Sequence, residues 1–277
     1  MLGVRRCAVL GKPVTHSLSP VLHRAAYAEL GLDWTYEAVE MDAAGLSGFL
    51  GGLDEAWRGL SLTMPLKRVV VPLVDSLDDW ARRSGVVNTV VFDEDGSRHG
   101  HNTDVPGAVA AIRSRSSGPL RTAVVLGGGA TAASMLLALA ELGCTTATLR
   151  VRDPGRAART VTVTAEHRRE LAVEVGPLTE AGGWPSRADI LISTLPVSAW
   201  STQLLATWSG VPVVFDVGYQ PWPTPLLQAS AEQGRALVTG LDLLVQQAAL
   251  QVSLMTGTPD PPVAAILQAG ARALAAR

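Results

Sequence analysis

Apolar positions along this chain fall into two alternating rhythms, one strand-like and the other repeating at the helical period. Arg6 to Leu10 reads as a short apolar strand, and Pro20 to Leu30 carries a helical period. Thr35 to Met41 alternates as a strand does, and Leu46 to Leu53 is helical. Gly59 to Thr63 is a further strand, running into Pro65 and a helix. Val86 to Phe92 and Ser97 to Asn102 flank Asp93-Glu94-Asp95-Gly96, a hairpin turn. Strands alternating with helices predict βαβ units, hence a mostly parallel sheet with a hairpin added.

The polar, turn-rich run Arg113-Ser114-Arg115-Ser116-Ser117-Gly118-Pro119 marks a junction. Beyond it the alternation resumes, with strand 121–126, helix 130–142, strand 145–151, a helix near 155–169, and strands 189–193 and 213–217. Gly240 opens a long helical stretch to Met255, and another runs from Pro262 to Ala276, whereas Val173 to Trp184 follows neither rhythm. The fold class is α/β, and 277 residues suffice for two domains that each bury a core.

The second region is organised around Val124-Val125-Leu126-Gly127-Gly128-Gly129-Ala130-Thr131-Ala132-Ala133, a buried strand entering a glycine cluster and then a helix. The spacing is G-x-G-x-x-A. Gly127 permits a tight turn, Gly129 lets the backbone approach a pyrophosphate, and small Ala132 lets the helix pack close to the sheet. A glycine-rich turn without a ligand has the same local pattern. The following strand, Thr145 to Arg152, separates the two readings, because it arrives where a dinucleotide fold reads the ribose.

Composition removes several classes. With 47% apolar and 17% charged residues the chain is globular rather than disordered. A net charge of −2 leaves no basic footprint for nucleic acid. Cys7 and Cys144 sit in apolar contexts and read as small buried hydrophobes, not a disulfide. Five scattered histidines without ligand spacing predict no metal site. The apolar run after Arg5 and Arg6 stops at Lys12-Pro13, too short for a signal segment, and no stretch reaches membrane-span length. A cytoplasmic protein with a small-molecule substrate, no nucleic acid and no membrane is expected.

Four further stretches carry candidate chemistry. In Ser17-Leu18-Ser19-Pro20, Ser19 reads as an N-cap ahead of Pro, and Ser17 is a second hydroxyl in the loop leaving the first strand, where ligands bind in open α/β sheets. In Ser61-Leu62-Thr63-Met64-Pro65-Leu66-Lys67, a helix starting at Pro65 would put Lys67 and Arg68 at the positive end of its dipole, which eases deprotonation of the ammonium. A solvated lysine stem is the plain alternative. Asn88-Thr89 and His101-Asn102-Thr103-Asp104 belong either to a turn and a helix cap or to strand ends on the same edge as Lys67. In the second arrangement a Lys–Asp pair can pass a proton to or from a substrate hydroxyl.

Taken in order, these stretches, the Gly127 loop, Tyr219 before Pro221 and Gly240-Leu241-Asp242-Leu243-Leu244-Val245-Gln246-Gln247 resemble the shikimate dehydrogenase family, with its quinate-using relatives. The resemblance implies an N-terminal substrate domain with a parallel sheet (1–104), a Rossmann-like NAD(P)-binding domain (105–237) and C-terminal helices (238–277) returning to the first, with the active cleft between the two domains. It implies reversible reduction of 3-dehydroshikimate to shikimate, a step of chorismate and aromatic amino-acid biosynthesis. Ser17 and Ser19 then look like carboxylate ligands, and Thr63, Asn88 and Gln247 like hydroxyl or carboxylate partners. Lys67 and Asp104 look like the catalytic pair, with Tyr219 near the substrate carboxylate. Gly127, Gly128, Gly129, Ala130, Thr131, Ala132, Arg152, Asp153, Thr194, Gly240 and Leu243 look like the cofactor contacts.

Three positions depart from the family pattern: Ser61-Leu62-Thr63 replaces Asn-Val-Thr, Leu243 replaces Met, and Val151-Arg152-Asp153 replaces Asn-Arg-Thr. Arg152, with Arg150 and Arg156, could clamp a ribose 2′-phosphate, while Asp153 could accept from a free 2′-hydroxyl. If strand geometry persists, 150 and 152 share a face and 153 points away, which favours NADP over NAD. A solvated face is the alternative for Arg150 and Arg159. The competing functions are an NAD-dependent quinate, shikimate or aminoshikimate dehydrogenase and a non-catalytic dinucleotide sensor; a monomer or homodimer is expected.

Overall fold

The computed structural model describes residues 4–167, 170–178, 187–207 and 210–277. They form two compact units, Met1–Thr103 with Leu244–Arg277, and Asp104–Leu243.

The first unit begins with β1 (Arg6–Gly11), α1 (Ser19–Glu29), β2 (Thr35–Glu40), α2 (Leu46–Gly51) and β3 (Trp57–Leu62). It continues with β4 (Ser76–Leu77), α3 (Asp79–Ser84), β5 (Thr89–Phe92) and β6 (Arg98–His101). The sheet order is β2-β1-β3-β5-β6-β4. Strands β2, β1 and β3 are parallel, and β5 and β6 form the antiparallel hairpin across Asp93–Gly96. Interior strand β1, flanked by β2 and β3, is buried from Cys7 to Gly11, which explains its continuous apolar run. Leu10, Leu46, Leu60, Leu62, Leu66, Val87 and Val90 belong to one core cluster.

The helix expected at Pro65 does not form. Residues 64–69 make successive turns, followed by a short 3-10 turn at Val71–Leu73. The Lys67 carbonyl accepts from Val87 N–H at 2.8 Å, so its backbone bonds to the neighbouring segment instead of to a helix. The dipole expected of a helix starting at Pro65 is therefore not formed. Ser19 also departs from expectation: it is the first residue of α1, and the N-cap position falls to Leu18, which has no side-chain cap bond to offer.

The second unit contains α4 (Asp104–Arg115), β7 (Thr122–Leu126), α5 (Ala130–Glu141), β8 (Thr146–Val151), α6 (Pro154–Ala165) and β9 (Ala172–Pro177). Then follow β10 (Ile190–Ser193), α7 (Thr202–Thr207), β11 (Val213–Asp216), α8 (Pro225–Ala231) and β12 (Ala236–Thr239). Its six strands are all parallel, in the order β12-β11-β10-β7-β8-β9. That is the dinucleotide-binding order, with the reversal of connection at β7 and β10. Residues 116–121 link α4 to β7 inside this unit, whose boundary falls at Asp104. Of the stretch from Val173 to Trp184, Val173–Pro177 lies in β9 and 179–184 lie outside the described residues. Helix α9 (Gly240–Thr256) begins in the second unit and continues into the first, and α10 (Val263–Ala275) packs with α1.

Candidate functional site

In the first unit, topology alone gathers the candidate residues. Parallel β1 and β3 both end at one edge of the sheet, so the loops carrying Ser17 and Thr63–Lys67 leave there together. The two loops touch: Lys12 N–H donates to Met64 O at 2.9 Å, Thr63 N–H donates to Leu10 O at 2.9 Å, and a side chain on Gly11 would overlap Thr63. Strand β5 is antiparallel to β3 and starts at this edge, which puts Asn88 beside Leu62. Strand β6 is antiparallel to β5 and ends there, bringing Asn102 and Thr103. Ser17, Thr63 and Lys67 are half-buried, whereas Ser19, Asn88 and Gln247 are buried. Ser17 Oγ accepts from Ser19 N–H at 3.2 Å.

Behind this edge lies a hydrogen-bonded network that sequence reasoning missed. Asn88 Oδ1 accepts from Thr103 N–H and from Thr89 Oγ1, each at 2.9 Å. A backbone N–H can only donate, so the amide is oriented, and Asn88 Nδ2 donates to Thr103 Oγ1 at 2.9 Å and Gln247 Oε1 at 3.2 Å. Gln251 Nε2 donates to Thr89 Oγ1 at 2.8 Å, and Gln251 Oε1 accepts from Ser61 Oγ at 3.0 Å. Ser61 in turn accepts from Tyr36 OH at 2.5 Å. His23 stacks on Tyr36 with ring centroids 4.0 Å apart, and burial pushes its pKa down to about 4, so it is neutral at pH 7. The signal available in sequence was the i, i+4 spacing of Gln247 and Gln251, which puts them on one helix face.

In the second unit the glycine loop leaves the reversal point of the sheet. Gly127 has φ +103°, and a side chain there would overlap Thr194, whose Oγ1 donates to Leu126 O at 2.8 Å. Gly128 packs tightly beneath Val151 and Ala157. Gly129 precedes α5, and a Cβ on it would meet nothing within 4 Å. No side chain caps α5, and its first turn, which holds Ala130, Thr131 and Ala132, carries no acid. Bare N–H groups, the positive dipole end and open space beside Gly129 fit the pyrophosphate of a dinucleotide.

At the end of β8 the two arginines differ in burial. Arg150 is 6% exposed, its guanidinium lying over Gly176 of β9, which excludes the solvated reading. Arg152 lies past the strand end and is exposed. Asp153 is the N-cap of α6 and accepts from Gly155 N–H at 2.9 Å. The Arg156 side chain is outside the described residues.

The loop carrying half-buried Tyr219 is held by Asp216, which accepts from Thr224 Oγ1 at 2.7 Å and from Gly218 N–H at 3.2 Å. Burial pushes the Asp216 carboxyl up to about 6, against the opposing pull of its hydrogen bonds from Thr224, Gly218 and Ser193. A side chain on Gly240 would fall 2.6 Å from the carbonyl oxygens of Val217 and Gly218, so α9 starts tight against this loop. Thr239 N–H and Oγ1 both donate to Asp242, which closes the helix end and seats buried Leu243. Among the described residues, no helix is long and apolar enough to cross a membrane and no cluster of His, Cys, Asp and Glu could hold a metal.

A six-stranded parallel sheet in this order, with a glycine turn at its reversal point, defines a protein with a Rossmann-type dinucleotide-binding unit, joined here to a unit whose sheet edge is lined with buried amides and hydroxyls. Residues 9–90 match the family model described as the shikimate dehydrogenase substrate binding domain. The chain is 34% identical over 263 residues to a shikimate dehydrogenase (NADP(+)) of Moorella thermoacetica, covering 92% of this chain and 88% of that one. It is 31% identical to a Thermus thermophilus shikimate 5-dehydrogenase solved with NADP(H) and shikimate, with a TM-score of 0.80 over 98% of this chain and 100% of the other. It is 26% identical to the Corynebacterium glutamicum quinate dehydrogenase solved with NAD, with a TM-score of 0.86 over 97% of this chain and 99% of the other. The chain belongs to the shikimate dehydrogenase family.

Proposed function

We propose that the chain is an NADP-dependent shikimate dehydrogenase, interconverting 3-dehydroshikimate and shikimate. The observation that carries the reading is full-length likeness to an enzyme solved with both NADP(H) and shikimate, in a chain whose matching polar residues crowd one strand edge and whose glycine turn leaves an uncapped helix. The cofactor supplies the hydride in the reducing direction and takes it up in the other.

The roles of the chain's own residues follow from their chemistry. Charge develops on the carbonyl oxygen as hydride reaches carbon, so an ammonium beside it both stabilises that charge and delivers the proton. Lys67 is assigned that role, and Asp104 the role of accepting from a substrate hydroxyl. Ser17 and Ser19 bind the carboxylate with Tyr219, while Thr63, Asn88 and Gln247 hold ring hydroxyls. Sites built from such groups reject analogues that leave them unpaired. The buried free thiols of Cys7 and Cys144 support a reducing, cytoplasmic setting.

One observation favours a second reading, NAD with quinate or shikimate. Asp153 places a carboxylate at the end of β8, where it disfavours a 2′-phosphate, and the quinate dehydrogenase likeness points the same way. Shikimate and quinate, each offered with NADP+ and NAD+, are followed by absorbance of the reduced cofactor. The reading predicts the highest kcat/KM with shikimate and NADP+. A preference for NAD+ replaces it with the second reading, and no turnover with any pair overturns both.

A further inference from the structure

Helix α9 is docked on the first sheet along one face, and that face is in step with β3. Met255 is fully buried, and a Cβ on Gly59 would fall 2.6 Å from its Cγ. One helical turn earlier, Gln251 meets Ser61, two residues further along the strand. Four helical residues advance about 6 Å and two strand residues about 6.6 Å, so helix and strand keep register as they run antiparallel. The next turn carries Gln247, whose Oε1 accepts from Asn88. The contact changes from apolar at Met255 to wholly polar at Gln251, where Gln251, Thr89, Asn88 and Ser61 are all at most 4% exposed.

We propose that Gln251 is a positioning residue for substrate binding, acting through Asn88 and Gln247; the inference rests on the dehydrogenase reading above. Its direction is fixed by donors and acceptors. Tyr36 donates to Ser61 and Ser61 to Gln251 Oε1; Gln251 Nε2 donates to Thr89, and Thr89 to Asn88 Oδ1. With its oxygen filled from within, Asn88 turns its NH2 to Gln247 Oε1, and the Gln247 NH2 is then the end that donates to substrate oxygens. Gln251 thus ties α9 to β3 and β5 one turn below Gln247 and, through Thr89, holds a second donor on the Asn88 oxygen that Thr103 N–H already orients.

The test uses the full chain with Gln251→Leu, Gln251→Glu and the near-isosteric Thr89→Val, measuring kcat and both KM values for shikimate oxidation, with melting temperatures alongside. Each variant is expected to raise the shikimate KM about ten-fold, the effect of losing one buried hydrogen bond. The NADP+ KM is expected to stay within about two-fold and Thr89→Ser to bring the shikimate KM back towards wild type. If Gln251→Leu does not fold, Thr89→Val carries the test alone. An unchanged shikimate KM in Thr89→Val, or equal rises in both KM values, overturns the proposal. A wild-type chain inactive on shikimate overturns the enzyme reading and this inference together; an active wild type with unchanged variants overturns the inference alone.

Discussion

Replacing Asp216 with Asn removes a buried carboxyl whose titration the protein must accommodate on folding. The carboxyl is 1% exposed and sits among Thr224, Gly218 and Ser193, with its pKa raised from the ordinary 3.8 to about 6. A group raised in this way contributes stability that is complete below pH 4 and is lost as pH rises through 6. The shift is worth about 3 kcal/mol at 1.36 kcal/mol per pKa step, with no discount for solvent because the group is covered. Asparagine stays neutral throughout: Gly218 N–H can still donate to its Oδ1, and its Nδ2 can donate to Thr224 Oγ1. Any cost of that exchange is the same at every pH. Urea unfolding of both proteins between pH 4 and 8 should therefore show Asp216→Asn gaining up to about 3 kcal/mol on wild type between pH 4 and 7. Parallel stability curves would refute the reasoning.

The glycine loop separates fold from ligand. Gly129→Ala is expected to leave the melting temperature unchanged, since its Cβ enters open space, yet to raise the NADP+ KM about ten-fold; an unchanged KM would remove the pyrophosphate from that spot. Gly127→Ala, at φ +103° against Thr194, should lower stability by about 1–3 kcal/mol in chemical unfolding, and a neutral result would show the turn to be relaxed. Asp153→Asn keeps a capping side chain on α6 but removes the negative charge, so the ratio of kcat/KM for NADP+ over NAD+ should rise about ten-fold; a constant ratio would clear Asp153 of any part in cofactor choice.

The features most legible in the chain were those whose local chemistry and long-range packing agree. The strand–glycine–helix run at 122–141 and the hairpin across Asp93–Gly96 carry their own turn residues, and both form as read. Pro65 shows the opposite case. A proline that looks like a helix start sits in a turn series because Val87 takes the Lys67 carbonyl, a partner twenty residues away that periodicity cannot reveal. Arg150 failed for a related reason: alternation gives the face of a strand but not what covers it, and Gly176 of β9 leaves room for a guanidinium. Site residues named from motifs lie in loops, as do Ser17, Thr63, Lys67 and Asn88, or at helix starts, as do Ser19, Asp104 and Ala130. Tyr36 and Gln251 went unnoticed because each is an ordinary polar residue until separate elements bring them to Ser61 and Thr89.

The account depends above all on proton transfer by Lys67, and steady-state kinetics of Lys67→Ala in shikimate oxidation with NADP+ test it most directly. Loss of a general acid–base group is worth about 100-fold or more in rate, so kcat should fall by at least that factor while the shikimate KM moves only a few-fold. A variant that keeps a near wild-type kcat would contradict the mechanism.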